Sequence, residues 1–563
     1  MDDLPDALEQ FAARVETLER RVKALEALEH PAAAVSAAPE LAARSADEVA
    51  GAFSVAQAAG AFSVLGKAML GIAGAYLLRA VAESSSLPRL LIAAVAIVYA
   101  LLWLVAAARV PAEKWFASII YAGTSALILA PMLWELTLSF RVLPPPATAG
   151  ILCAFVIAAT ALAWKRNLAP VFWVANFASA AAALALSIAT HELEPFIATL
   201  LLMALICECA AGRNHQRSVR PLVAAAADAA ILALIFIYAS PQSARMNYPA
   251  IGTTGLLLPG CLLFLIYAAS VAIRTILHRQ NLTVFETGQA MIAFLLAASS
   301  VLSFEPRSGA VVLGLVCLLF SAACYMAAFV LFGKAAEGRN SSIFAVWAAG
   351  LLLAGSFLCL PPFWLVAFLA LAAITATVLK SSLTLKFHGL VFLLATAVAS
   401  GLLEYVFHAL AGTVPAKLSA SICLVSACAL VCYAAGKPGP LEGWKQKLLH
   451  VVPAALAAGA LAALLVEGLL WLVALRISPD ASCIAFIRTL VLCAEALALA
   501  FGGSRGRRVE LAQIAYATLA LVAVKLLFED LHQERLGFIA ASFFLFAITL
   551  IEVPRLARMG QKV

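Results

Sequence analysis

The chain has 563 residues, 64% hydrophobic and 12% charged, with mean hydropathy +1.00 and a formal net charge of +7. A soluble domain is about half apolar and about a quarter charged, because its surface must be solvated, so this composition excludes a soluble globular protein. The basic residues sit in short connections between apolar stretches, which argues against a nucleic-acid-binding patch.

In chain order, the first feature is polar. Leu4, Leu8, Phe11, Val15, Leu18, Val22 and Leu25 recur at alternating spacings of four and three, the a/d seam of a coiled coil. Glu9, Arg14, Glu16, Glu19, Arg20, Arg21, Lys23 and Glu26 fill the other positions. Residues 1–30 are therefore predicted to form a cytoplasmic coiled-coil helix. So few heptads need a partner, either a second copy or another protein docked through residues 4–25. An amphipathic helix lying on the membrane surface is the alternative. Residues 31–56 are Ala/Pro/Ser-rich without periodicity and read as a flexible linker. Met1 to Leu28 is strongly charged, so no cleavable signal peptide is expected there.

Apolar stretches of about twenty residues then recur through residues 57–554, each long enough to cross about 30 Å of hydrocarbon as a helix. The strand alternation of a β-barrel is missing; the segment from Leu90 to Val105 is apolar on every face. The fold class is all-α, a polytopic bundle of about eighteen spans. They are placed near 58–80, 89–108, 115–137, 147–164, 169–190, 194–211, 221–239, 249–273 and 282–303. The rest lie near 309–332, 341–359, 362–379, 387–410, 417–435, 449–475, 482–501, 509–528 and 535–553, followed by a tail over 555–563. The only interruption the sequence suggests within a span is Leu258-Pro259-Gly260.

Loop charge orients these spans. Alternate loops carry Arg109 and Lys114; Lys165 and Arg166; Arg213, Arg217 and Arg220; Arg274 and Arg279; and Lys334 and Arg339. Later ones hold Lys380 and Lys386; Lys437, Lys445 and Lys447; Arg505, Arg507 and Arg508; and the tail Arg555, Arg558 and Lys562. The opposite loops hold one basic residue or none, apart from the first, flanked by Arg79 and Arg89. By the positive-inside rule both termini are expected to be cytoplasmic.

The two ends of the chain carry a resemblance. The first span exits through Leu77-Leu78-Arg79-Ala80-Val81-Ala82-Glu83 and Pro88-Arg89. The last two spans contain Lys525-Leu526-Leu527-Phe528-Glu529-Asp530-Leu531 and Arg535-Leu536-Gly537-Phe538. With the Leu18-Glu19-Arg20-Arg21-Val22 coil, these residues resemble bacterial membrane proteins of the domain-of-unknown-function family numbered 2339. The resemblance implies a multi-pass protein of the bacterial inner membrane and implies no activity.

No phosphate-binding G-x-x-x-x-G-K-[ST], H-E-x-x-H or nucleophile elbow occurs, and the loops leave no room for an extramembrane catalytic domain. The twelve cysteines lie almost entirely within apolar segments without a C-x-x-C pair. No catalytic residue, metal site or cofactor is expected, and an enzyme is disfavoured.

What remains is ionisable residues in the spans, which are costly in hydrocarbon and normally face the bundle interior or water. Arg79, Glu83, Glu135, Glu404, His408, Glu467, Arg488, Lys525, Glu529 and Asp530 all project to the outer ends of their helices. Arg79 with Glu83, Glu404 with His408, and Lys525 with Glu529 are each four apart, the spacing of same-face pairs. These ten are expected either to line a periplasm-facing polar cavity for a lipid or small anionic solute, or to fix helix packing. In the cavity reading Arg79, Arg488 and Lys525 receive the anionic group. An inner set (Lys67, Asn176, Glu208, Asp228, Glu286, Gln289 and Glu495) is read as interhelical hydrogen-bonding residues. Two functions follow: binding or transport of a lipid or anionic solute, and a non-catalytic scaffold recruiting a partner through the coil.

Overall fold

The computed structural model describes residues 55–84, 88–111, 114–166, 168–212, 217–241, 246–332, 338–378, 382–411, 418–436, 444–506 and 508–559. The predicted coil over 1–30 and nearly all of the linker over 31–56 lie outside them. All regular structure among the described residues is helical.

The α-helices are α1 (Val55–Ser84), α2 (Arg89–Arg109), α3 (Trp115–Trp134), α4 (Pro145–Arg166), α5 (Ala169–Thr190), α6 (Glu194–Gly212) and α7 (Arg220–Ala239). They continue with α8 (Thr253–Ala272), α9 (Val284–Phe304), α10 (Ser308–Met326), α11 (Arg339–Cys359), α12 (Pro362–Val378) and α13 (Leu383–Ala399). The last six are α14 (Leu402–Ala411), α15 (Ala420–Ala435), α16 (Trp444–Ala474), α17 (Ala481–Gly506), α18 (Val509–Phe528) and α19 (Leu536–Met559). Among the described residues, fourteen helices are long and apolar enough to cross a membrane, or up to fifteen if α13 and α14 count as one bent span. Three shorter apolar helices lie over Ala93–Arg109, Pro362–Val378 and Ala420–Ala435. Every predicted span is thus helical. α4 starts within the Pro144-Pro145-Pro146 run, because proline is tolerated in a first turn whose N–H groups have no helical partner.

The interruption falls elsewhere than expected. Pro259 sits inside continuous α8. The break lies between α13 and α14, which meet at 60°. Gly401 there has φ +75, a left-handed conformation open to glycine at little cost. A Cβ on Gly401 would meet nothing within 4 Å. Gly401→Ala is therefore expected to cost about 1–2 kcal/mol through backbone strain alone. Gly350→Ala, inside α11 and also unobstructed, should be neutral or stabilising. Comparing the fraction of each variant that stays monodisperse after heating in mild detergent checks this; equal behaviour would contradict it.

The chain divides into two compact units, Met1–Ala230 with Asn247–Pro249, and Ile231–Met246 with Ala250–Val563. In the first, α3 packs on α1, α2 and α5, and α4 on α5 and α6. Gly71 and Gly74 of α1 accommodate the Trp103 and Tyr99 rings of α2, and Tyr99 donates to the Gly71 carbonyl at 3.1 Å. In the second unit, α10 and α11 approach each other closely at a pair of glycines. A Cβ on Gly355 would lie 2.7 Å from the Gly314 carbonyl oxygen, so each glycine admits the other helix. Further along, α17 packs against α16, α18 and α19, and α14 against α16.

Candidate functional site

The ten predicted polar residues fall into separate groups. Arg79 and Glu135 belong to the first unit and pair at 2.6 Å. Arg79 projects from α1. Glu135 opens a π-helical turn, Glu135–Ser139, that closes α3 shortly after Pro131. The turn holds Glu135 in place, since its carbonyl accepts from the Phe140 N–H at 2.8 Å. Both side chains are partly exposed, at 47% and 22%. They line a cleft of about 270 Å³ whose walls are otherwise mostly apolar, including Ala75, Leu78, Leu127, Ile128 and Met132. Glu83 follows Arg79 on α1, and its side chain is outside the described residues.

Arg488, Lys525, Glu529 and Asp530 are joined in the second unit. Arg488 and Lys525 project from α17 and α18, while Glu529 and Asp530 follow α18, Asp530 opening a 3₁₀ turn. The Lys525 ammonium donates to Asp530 Oδ1 at 2.8 Å, Thr489 Oγ1 at 2.8 Å and the Ala485 carbonyl at 2.9 Å. Those bonds use the three N–H groups an ammonium has. Thr489 passes its own hydroxyl hydrogen to Asp530 Oδ2 at 2.7 Å. Arg488 donates to Glu529 Oε1 at 2.7 Å and to the Ala409 and His408 carbonyls at 2.9 and 3.4 Å. Those carbonyls lie in the last turn of α14, where a helix leaves acceptors without an internal donor, so Arg488 caps the second half of the broken span. Lys525, Arg488 and Asp530 are buried. Two cations and two carboxylates leave the network neutral. In this geometry an anion reaching Lys525 would have to displace one of its three acceptors.

The other three predicted residues stand beside it. Tyr405 on α14 donates to Glu467 Oε2 on α16 at 3.2 Å, while Glu467 Oε1 has no hydrogen-bond partner among the described residues. Glu404 and His408 approach to 3.8 Å with both side chains substantially exposed, a geometry of little energetic weight.

Sequence reasoning missed several partners. Arg220 and Arg274 were counted as loop cations but are buried, each paired with a member of the inner set twelve residues away. Arg220 makes a two-pronged contact with Glu208, Nε to Oε1 and Nη2 to Oε2, both at 2.7 Å. Arg274 pairs with Glu286, whose second oxygen accepts from the Thr283 N–H in a capping box at the start of α9. Arg508, likewise counted as a loop charge, lies 4.5 Å over the Tyr433 ring. The signal available was spacing: an arginine and a carboxylate twelve apart across a short helix–helix connection meet when the helices fold back. Thr489 and the carbonyl acceptors left no signal, because a hydroxyl in an apolar helix reads as filler. Of the rest of the inner set, Asn176 is buried and donates to the Phe172 carbonyl of its own helix at 2.8 Å. Asp228 and Glu495 belong to different units, and Lys67 is exposed. Among the described residues no group of three His, Cys, Asp or Glu is placed to hold a metal ion.

No family model matches this chain, and no curated protein or solved structure matches it.

Proposed function

We propose that this chain is a lipid-handling protein of the bacterial inner membrane, and that its binding site is the cleft lined by Arg79 and Glu135. The observation that carries the reading is an ion pair in the wall of an otherwise largely apolar cleft, formed by residues near the ends of α1 and α3. Charged groups are costly in hydrocarbon, and where they persist between helices they mark head-group or substrate positions. The cleft, at about 270 Å³, is smaller than a drug-sized pocket and suits the part of one acyl chain nearest its head group. The saturated hydrogen bonding of Lys525 favours an architectural role for the C-terminal network and narrows the expected cavity to this pair.

Fourteen helices, or fifteen with the bent pair as one crossing, are long and apolar enough to span; taking the three shorter apolar helices as crossings too gives the eighteen of this reading. With loop charge as the guide, both termini face the cytoplasm, and the resemblance at the two ends supports the bacterial assignment. The N-terminal seam over residues 4–25 would then recruit a second copy or a partner on the cytoplasmic side.

Ala75→Phe places a ring in the cleft at a half-buried position. Native mass spectrometry of the protein extracted gently from membranes should show a retained lipid that this variant loses at least about tenfold, the worth of about 1.4 kcal/mol of binding. A clean apo protein that instead carries a protein partner, lost on deleting residues 1–30, would replace this reading with the scaffold.

A further inference from the structure

Resting on that reading, we infer that the cleft selects a zwitterionic head group carrying a primary ammonium and a phosphate over a purely anionic one. The cleft wall presents both signs of charge, with Arg79 Nη1 and Glu135 Oε1 only 2.6 Å apart. Glu135 is the less mobile partner, on a shorter side chain with 22% of its surface exposed. Arg79 is the movable partner, on a long side chain with 47% of its surface exposed.

A phosphoglycerol head would satisfy the guanidinium and then hold its phosphate against the Glu135 carboxylate, like charge against like. A phosphoethanolamine head satisfies both ends. Its phosphate accepts from the planar Arg79 fork, and its ammonium, a short arm away, donates to Glu135 in place of the bond Arg79 gives up. A phosphocholine head carries the same charges, but a quaternary ammonium has no hydrogen to donate. The order expected is therefore ethanolamine first, choline second and glycerol last. One charge-assisted hydrogen bond gained and one repulsion avoided correspond to at least about tenfold between first and last.

The test uses the full-length protein in mild detergent, titrated in turn with phosphatidylethanolamine, phosphatidylcholine and phosphatidylglycerol of identical chains. Bound lipid is counted by native mass spectrometry. The expected result is about tenfold stronger retention of the ethanolamine lipid than of the glycerol lipid, with the gap closed in Glu135→Gln. Equal retention of the two, or a gap that persists in Glu135→Gln, overturns the head-group assignment and leaves the lipid reading standing. Adducts of all three lipids that Ala75→Phe leaves unchanged overturn the lipid reading itself. The ethanolamine-to-glycerol ratio is read on the unmutated chain, so it decides the matter whether or not Glu135→Gln folds.

Discussion

Lys525→Met is expected to destabilise the second unit by about 3–5 kcal/mol, the usual consequence of removing one partner from a buried ion pair. The loss comes from what stays behind. Asp530 is 2% exposed and would keep only the Thr489 hydroxyl among its two close side-chain donors. The network, neutral with two cations and two carboxylates, would be left with one uncompensated negative charge. Methionine matches the length of the lysine stem, so the packing of α18 against α17 changes little and the charge is what is tested. Adding Asp530→Asn restores neutrality and is expected to recover part of the loss. The measurement is the fraction of protein remaining monodisperse in mild detergent after heating. Unchanged stability together with loss of a bound anion would show that Lys525 serves a ligand and that the packing role assigned to it is wrong.

The second large effect is expected in the other unit. Glu208→Leu leaves the Arg220 guanidinium, 5% exposed, without the carboxylate that accepts two of its hydrogen bonds. A cost of about 3–5 kcal/mol is expected. Because an apolar pair of similar volume often replaces a buried ion pair without loss, Glu208→Leu with Arg220→Met should be much closer to the unmutated protein than either single change. The same heating assay applied to the four proteins of the cycle gives the coupling. Additive losses would mean that Arg220 and Glu208 act independently, contrary to the two 2.7 Å contacts between them. Arg274 and Glu286 repeat the pairing with the order of the charges reversed, so the cycle can be run there as an independent check.

Both predictions concern residues whose types were noticed in the sequence and whose partners were not. The i,i+4 rule identified Lys525 with Glu529, which meet at 3.4 Å, because that spacing is a property of one helix. The same rule pairs Arg79 with Glu83, whose side chain lies outside the described residues, and gives no sign of Glu135, brought to Arg79 from 56 residues on by the packing of α1 against α3. Spacing along one helix carries no information about which neighbour arrives from elsewhere. Arg220 and Arg274 show the same limit from the side of topology. An arginine at the end of an apolar run looks like a loop charge whether it faces water or folds back onto a carboxylate.

Hydropathy by itself determined that the chain is a helical membrane protein and where its apolar helices lie. The reason is that a backbone in hydrocarbon must satisfy its own hydrogen bonds, so a twenty-residue apolar run has one conformation open to it. α5 and α18 coincide with their predicted limits, at Ala169–Thr190 and Val509–Phe528. Loop composition likewise gives an expected orientation. The tertiary structure alone decided where a span breaks, which carbonyls the break exposes and which arginine caps them. Gly401 stands among 31 glycines with nothing local to mark it, and Arg488 reaches the α14 carbonyls across about 80 residues of sequence, at separations of 79 and 80. Burial rule and backbone chemistry act on each segment separately, and so can be read along the chain; a polar contact in a membrane bundle is a meeting of two segments, and only the packing sets it.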